Sequence, residues 1–229
     1  MAGIQLVGNG GTVTEVDGTS YRALRTTNRP TDYSSFGHYH LAMVSGTVAA
    51  ALAANAVIFS FRWSDATRLA VVWAIRVRFQ ALTLFTAATL TDFGFDAFTG
   101  RTFTAAHTGG TAATITGNSM KLRASMGTTL VNDIRISSTA ALGGGTITAD
   151  GNAFAMSIGD TQRVNPAAAT EEQSVNNPTL EWRPDVAAGA APLILVQNEG
   201  FVVRNRAAWP LAGTGAFTVE VAWAEVSAY

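Results

Sequence analysis

Residues 193–226 constrain the fold more than any other part of this sequence. The last run of this stretch alternates large apolar side chains with small or polar ones, and the large ones are Phe217, Val219, Val221 and Trp223. Because successive side chains of a strand point to opposite faces, this period of two predicts a strand with one buried face. Two β-type runs precede it, separated by turn-type sequences at 198–200 and 210–215. We therefore predict a three-stranded meander, with Gly200 supplying a positive φ in the first turn.

A second long alternating run covers residues 69–82. Its first half is apolar on both faces, which predicts a central strand covered on both sides, and its second half is polar on one face. The side chains predicted to share the buried face are Leu69, Val71, Trp73, Ile75, Val77 and Phe79. Residues 57–63 predict another strand, whose apolar face consists of Val57, Phe59, Phe61 and Trp63.

The rest of the chain is rich in loops. Residues 99–152 contain many Thr, Gly and Ala residues between short β-type pieces. A structureless segment of that length is unusual in a compact domain, so we predict short strands on long loops. Residues 1–37 contain turn-type sequences and predict an N-terminal arm before a single domain at 38–229. Such an arm commonly reaches a neighbouring subunit, and an edge hairpin is the alternative.

These patterns together predict an all-β fold. We expect a jelly-roll-like antiparallel β-sandwich with long Gly/Thr/Ala-rich loops and an extended N-terminal arm, because two packed sheets bury the apolar faces of many alternating strands. No stretch has a convincing helical period beyond short turns. The uncharged stretch 41–61 has the length of a membrane span, but polar residues interrupt it, so no membrane segment is expected.

The charge and cysteine content of the chain limit the kinds of partner and site that we expect. Charged residues make up 14% of the chain and the net charge is −1. Globular domains usually carry about 25% charged residues, so the low value favours extensive protein–protein contact, with compositional bias as the alternative. A nearly neutral chain has no field to attract nucleic acid or an acidic membrane. The absence of cysteine excludes disulfides and thiolate sites and fits assembly in a reducing cytosol.

Arginine dominates the basic residues. Lys121 is the only lysine among 15 basic residues, and arginine suits interfaces and carboxylate pairing, although a GC-rich genome would produce the same bias. Two arginine pairs at strand spacing are the candidates for subunit contact: Arg76 with Arg78, and Arg204 with Arg206. Trp209 is a further interface candidate and, with Tyr229, the exposed aromatic expected to contact a glycan.

A metal site is conceivable at His38 and His40. The two histidines would share one face of a strand, and imidazole is a common zinc or copper ligand. A site needs a third ligand, for which only Asp32 or Glu15 lies near in sequence. A half-buried, hydrogen-bonding role is the plainer interpretation, so we expect no metal and no cofactor.

Two groups of side chains resemble known catalytic arrangements. His107 with Ser119 or Ser125 would suit a nucleophilic triad, but the chain has no Gly-x-Ser-x-Gly elbow. Asp92 and Asp96 would suit the carboxylate pair of a glycoside hydrolase, and the alternative is a solvated strand edge. We expect neither to be catalytic and predict that the chain is not an enzyme.

Several segments resemble a widespread set of tailed-bacteriophage virion proteins. They are residues 61–68 (Phe-Arg-Trp-Ser-Asp-Ala-Thr-Arg), 107–114, 123–128 with 133–135, and 196–200 with 220–226. The resemblance runs from about residue 57 to the end of the sequence. It implies a β-sheet structural protein of the virion and supplies no catalytic site.

The resemblance leads to a specific expectation about function. We expect a capsid decoration or cement protein, trimeric, that stabilises the head by bridging major capsid subunits. The expected partners are copies of the chain and the major capsid protein or other virion proteins, and the expected location is a virion assembled in the host cytoplasm. A tail or head-fibre component and a carbohydrate-binding host-attachment module remain the alternatives.

Overall fold

The computed structural model describes residues 6–7, 13–14, 37–49, 51–83, 85, 91–157, 161–162, 178–185, 189–210 and 212–227. Every helix or strand in these residues is a β-strand, which confirms the all-β prediction. The chain divides into two compact units, Met1–Asp32 and Tyr33–Tyr229. In the first, β1 (Leu6–Val7) pairs with β2 (Val13–Thr14), and the remainder of the predicted arm lies outside the described residues.

Two antiparallel sheets form the second unit. The first sheet consists, in spatial order, of β14 (Thr179–Trp182), β5 (Leu69–Thr83), β17 (Thr214–Val226) and β3 (His38–Val44), while β15 (Leu193–Leu195) pairs with another part of β5. The second sheet consists of β12 (Ala155–Met156), β7 (Phe95–Gly100), β16 (Glu199–Asn205), β4 (Val57–Trp63), β10 (Asp133–Ile136) and β9 (Thr111–Ala112). Two small ribbons pair β6 (Thr91–Asp92) with β13 (Thr161–Gln162) and β8 (Ala105–Thr108) with β11 (Gly143–Thr146).

The two sheets face each other across one aromatic core. Phe61 of β4 meets Trp223 of β17 edge-on with ring centroids 5.3 Å apart, and Phe95 of β7 meets Phe217 of β17 at the same separation. Such pairs contribute about 0.5–1.5 kcal/mol each beyond the burial of their area. The alternation predicted for β17 is confirmed, because its four large apolar side chains all lie in this core.

The long strands pair in nested order along the chain. β3 pairs with β17, β4 with β16, β5 with β14, and β7 with β12, so each pair lies inside the previous one in sequence. Successive pairs alternate between the two sheets. All four pairings are antiparallel.

The predicted C-terminal meander is wrong. β15 and β17 both pair with β5 in the first sheet, whereas β16 pairs with β4 and β7 in the second. The three strands are consecutive in sequence, but the chain crosses to the other sheet after β15 and returns after β16. The turn before β16 places the positive φ on Asn198 instead of Gly200. Gly200 is needed for space, because a Cβ there would collide with the carbonyl oxygen of Phe61.

A β-bulge divides the faces of β5. Its register against β17 shifts where Ala222 lies opposite Ala74 but Trp223 lies opposite Val72, so Trp73 is the extra residue. The predicted buried face is therefore correct for Ile75, Val77 and Phe79 and wrong for Leu69 and Val71. Ala70 and Val72 enter the main core, and Leu69 and Val71 form a second cluster on the outer side with Ala224 and Val226.

The loop-rich region after β7 folds back over the outer face of the second sheet. Phe103 is fully buried, and a Cβ on Gly200 would lie 2.8 Å from its ring. Arg62 of β4 donates from Nε to the carbonyl oxygen of Phe103 at 2.7 Å and from Nη2 to that of Thr104 at 2.9 Å. Of the short strands predicted here, the one at 133–137 is found as β10, and the one at 146–148 overlaps β11 only at Thr146. The pieces predicted at 113–116 and 121–124 form no strand, although Lys121 makes a single bridge to Tyr39. The uncharged stretch 41–61 contributes to β3 and β4, and the described residues contain no helix that could cross a membrane.

Candidate functional site

Three charged side chains, Glu181, Arg76 and Glu220, lie side by side across the outer face of the first sheet and form what we call the charged ladder. Strand register places Arg76 of β5 between Glu181 of β14 and Glu220 of β17. The guanidinium lies 2.9 Å from the Glu181 carboxylate and 3.6 Å from that of Glu220. The hydrogen bond and charge of Arg76 lower the pKa of Glu181. All three side chains are partly exposed, so the ladder contributes little to stability and remains available for contact.

A small depression of about 80 Å³ lies beside this ladder. Its floor is the small residues Ala74 and Ala222, and its lining includes Trp73, Arg183 and His40. The depression lies at the β-bulge, where Trp73 is the extra residue of β5 and the adjacent cross-strand pair is two alanines. The cavity is large enough for a few heavy atoms, such as a carboxylate or a pair of sugar hydroxyls.

Two donors at this depression lack a described partner. The indole Nε1 of Trp73 and the Nε of Arg76 are both buried, and no described residue accepts a hydrogen bond from either atom. A buried donor without an acceptor costs about 1–3 kcal/mol. The arrangement suits recognition of a small oxygen-bearing group by donors and an aromatic ring, and its described lining contains no nucleophile aligned with a base.

The structure separates the four predicted interface arginines. Arg76 and Arg78 lie on the outer face of the first sheet, where Arg78 is exposed opposite Thr179 and Thr218. Arg204 lies on β16 of the second sheet, with its guanidinium 4.9 Å from the centroid of the Phe98 ring. Burial lowers the pKa of Arg204, and its Nε has no described partner.

Arg206 has an internal role. Its guanidinium lies 2.7 Å from Asp96 and 3.0 Å from Asp92, and it also donates to the carbonyl oxygen of Ser157. These carboxylates, Asp96 before Asp92, raise the pKa of Arg206. The two aspartates that suggested a glycosidase pair therefore hold an arginine that joins the end of β16 to β6 and β7.

The structure places Trp209 inside the protein, contrary to its expected exposure. Its side chain is 4% exposed, and its ring lies 5.2 Å from that of Phe85 and 5.3 Å from that of Phe79. Its backbone N–H donates to the carbonyl oxygen of Leu52 at 2.8 Å. While the core is intact, the Trp209 side chain can neither anchor an interface nor contact a glycan. Tyr229, the other nominated aromatic, lies outside the described residues.

The His38–Tyr39–His40 sequence divides between two faces, as the period of a strand requires. Tyr39 points into the core, stacks on Trp223 at 5.5 Å and donates from its hydroxyl to the carbonyl oxygen of Gly127. Burial, with a smaller effect of Glu225, raises the pKa of Tyr39 to about 12. Burial lowers the pKa of His38, with a smaller effect of Arg123. The described residues contain no cluster of three potential metal ligands, and Asp32 and Glu15 lie outside them.

His107 is buried under the loop-rich region. Its ring meets Phe103 edge-on at 5.2 Å, and burial, with a smaller effect of Arg204, lowers the pKa of His107. Of the two serines considered as its partners, Ser119 lines a groove beside β3 and Ser125 is exposed in a turn. The described hydrogen bonds join neither serine to His107.

Of the residues at the depression, Arg76 and His40 were candidates from the sequence, whereas Trp73, Arg183 and Glu220 were not. The period of two places Glu220 and Ala222 on the face of the last strand opposite its large apolar residues, but their positions beside Arg76 and Ala74 depend on register. Comparison of the chain with models of known protein families, with curated proteins and with solved structures finds no match. The site is therefore interpreted from its geometry.

Proposed function

We propose that this chain is a structural protein of a phage virion, and specifically a capsid decoration or cement protein that bridges major capsid subunits as a homo-oligomer, most simply a trimer. The observation that carries the proposal is the nested order of strand pairing in two facing sheets. Eight strands of the two sheets pair in this order, which supports a jelly roll, an architecture used by viral capsid and lectin domains. A fold alone does not define a function, so the resemblance of residues 57–229 to virion proteins is the second support.

The packing of the second unit supports a mechanical role. A protein that reinforces a shell needs a body that resists deformation, and close-packed interiors have low compressibility. Here the core is filled with aromatic rings from both sheets, and Arg62 and Arg206 fasten loops to the strands beneath them. A mechanical force applied to these loops would therefore be transmitted directly to the two packed sheets.

The charged ladder supports contact with a protein partner. Arg76, Arg78 and Arg183 lie close to one another at the outer face of the first sheet, and Arg78 is exposed. Arginine forms planar, bidentate bonds with carboxylates, which suits an acidic patch on a capsid subunit. The proposed capsid-facing surface is therefore this outer face.

The test is the location of the chain on the particle. Purified phage particles that carry this chain are imaged with gold-labelled antibody, and label distributed over the head is the expected result. Particles lacking the chain should also release DNA at a lower temperature than complete ones, and added protein should restore the difference. Label confined to one vertex or to the tail would replace the cement proposal with the tail or head-fibre alternative.

A carbohydrate-binding host-attachment module is the second candidate, and the depression beside Trp73 favours it. Jelly rolls occur among lectins, and an indole N–H without a partner among the described residues, next to Arg183 and Glu220, suits a sugar hydroxyl pattern. A glycan array separates the candidates. Binding that is lost in Trp73→Ala and kept in Arg206→Lys would support attachment, and the absence of binding to all glycans would remove it.

A further inference from the structure

Positive charge exceeds negative charge around the charged ladder. Arg76 most strongly, and then Arg183 and Arg78, lower the pKa of Glu181, so all three arginines lie near this carboxylate. Glu220 is the second carboxylate of the ladder. This group of three arginines and two glutamates therefore has one surplus positive charge, which an anion from outside the chain would neutralise.

The surplus charge resides on two of the three arginines. The guanidinium of Arg76 is shared between both glutamates, whereas that of Arg183 approaches Glu181 only to 3.7 Å, beyond hydrogen-bond distance. The Arg183 side chain is 60% exposed. Arg78 is also exposed and forms no ion pair with a described residue. Both Arg78 and Arg183 therefore have donors available to a partner.

These two available arginines flank the ladder. Arg183 follows Trp182, which lies opposite Ile75, so Arg183 is level with Ala74 of β5. Ala74 and Arg78 are four positions apart on β5, which corresponds to about 13 Å along the strand. Two arginines attached at this separation can contact two different carboxylates on one partner surface.

The depression provides a place for one of these carboxylates beside Arg183. Its floor of two alanines leaves a volume of about 80 Å³, which is enough for a carboxylate group. Arginine and tryptophan side chains have donors and no acceptors, so Arg183 and Trp73 in the lining favour a ligand that has only acceptors. The one carboxylate of the described lining, Glu220, already faces Arg76. An ionised carboxylate meets this requirement better than a hydroxyl group, which also donates.

We propose that the depression receives the carboxylate of an aspartate or glutamate side chain of the partner protein, bound by Arg183, while Arg78 binds a second carboxylate on the same partner surface. This inference rests on the proposed function, which assigns a protein contact to the outer face of the first sheet. It adds the chemistry of the partner, whose contact surface presents at least two acidic side chains. Arginine forms bidentate hydrogen bonds with such groups.

An acidic sugar is the competing ligand for the same depression. Its carboxylate would fit beside Arg183, but a ligand with a single carboxylate would leave Arg78 without a partner. The available charge on both sides of the ladder therefore favours a protein surface.

A short peptide with two carboxylates tests this arrangement on the full-length protein. The probe is Glu-Thr-Thr-Thr-Glu with both ends blocked, because an extended peptide places its two glutamates on one face about 13 Å apart. The protein carries isotope-labelled tryptophan, and the indole N–H signal of Trp73, assigned with Trp73→Phe, reports occupancy of the depression. We expect a saturable shift at low salt, and none with Gln-Thr-Thr-Thr-Gln.

Substitutions of the two arginines separate their contributions. Arg183→Gln should abolish the shift, and Arg78→Gln should weaken peptide binding about threefold, because the second of two linked contacts is lost. Arg101→Gln, an exposed arginine that pairs with Asp150 elsewhere on the protein, is the control and should bind as the parent does. Absence of a shift in the parent, a shift that survives Arg183→Gln, or unchanged affinity in Arg78→Gln would overturn the proposal.

Glucuronate distinguishes a sugar acid from an acidic protein surface. It offers one carboxylate, so it should bind more weakly than the peptide, and Arg78→Gln should not alter its affinity. Tighter binding of glucuronate than of the peptide would overturn the protein partner in favour of an acidic glycan.

Rebinding to particles distinguishes failure of this inference from failure of the proposed function. Particles lacking the chain are incubated with the parent protein or with Arg78→Gln/Arg183→Gln, and the variant should occupy fewer sites, with a difference that shrinks at high salt. Equal occupancy of the head would overturn this inference and leave the cement proposal intact. Label on the tail alone would overturn the cement proposal, while the peptide titration would still support the carboxylate site.

Discussion

The backbone N–H of Leu130 donates to the buried carboxylate of Glu225 at 2.9 Å. The same carboxylate oxygen accepts from the hydroxyl of Thr129 and lies near the indole N–H of Trp223, while its other oxygen has no described partner. One acidic side chain of β17 thus fixes the loop before β10. Burial raises the pKa of Glu225 because desolvation outweighs these hydrogen bonds.

This contact predicts an unusual pH dependence. Because the pKa of Glu225 is higher in the folded protein than in the unfolded chain, protonation of its carboxyl group stabilises the fold. This contribution is complete below the unfolded-state pKa near 4.5, and it is lost as the pH rises through the folded-state pKa. Glu225→Gln keeps an acceptor oxygen without the charge, so it should melt at a higher temperature than the parent protein at pH 8. The difference should shrink towards pH 4 in melting curves followed by circular dichroism.

Glu181→Gln is a control variant for which we expect the opposite dependence of stability on pH. Arg76 lowers the pKa of Glu181, so the ion pair stabilises the parent protein above the unfolded pKa and the contribution is lost on acidification. The effect should be small because the pair is exposed. Equal pH slopes for the two variants would contradict the assigned roles.

Arg206→Met should destabilise the fold by about 2 kcal/mol, because it leaves the carboxylate of Asp96 buried without its cation. Urea unfolding measures the change. Arg76→Met removes a solvent-exposed pair and should have a much smaller effect. A comparable loss in both variants would show that Arg206 is no more than a surface cation.

Trp209→Ala should cost about 3–5 kcal/mol, since it empties the centre of the cluster formed by Phe79, Phe85 and Phe217. Trp73→Ala, at the outer depression, should cost much less. Thermal unfolding of the two variants tests the assignment of one tryptophan to the core and the other to the surface. Near-parent stability of Trp209→Ala would contradict its burial.

Gly200→Ala should destabilise the protein by about 2 kcal/mol, because the added methyl group meets the backbone of Phe61 and the ring of Phe103. Gly127→Ala is the matched control, since its Cβ would meet no atom within 4 Å. Denaturant midpoints of the two variants should differ clearly. An unaffected Gly200→Ala protein would mean that β4 and β16 approach less closely than the structure shows.

Alternation in the sequence was sufficient to predict strands and much of the core. The faces of β17 and β4 follow directly from the spacing of their large apolar residues, because a regular strand presents every second side chain to the same side. The prediction failed on β5 at Trp73, where one bulged residue reversed the faces of everything before it. A bulge leaves no mark in the pattern when both faces are apolar.

The sequence by itself determined that this chain forms β-strands with apolar inner faces, and it supplied the arginines of the outer surface. Only the tertiary structure decided which strands pair, that Arg76 meets two glutamates while Arg206 meets two aspartates, and that Trp209 is buried. The physical reason is the sequence separation between the residues that determine each feature. Side-chain alternation is local, whereas pairing and register are set by contacts between residues as distant as Ala42 and Glu220.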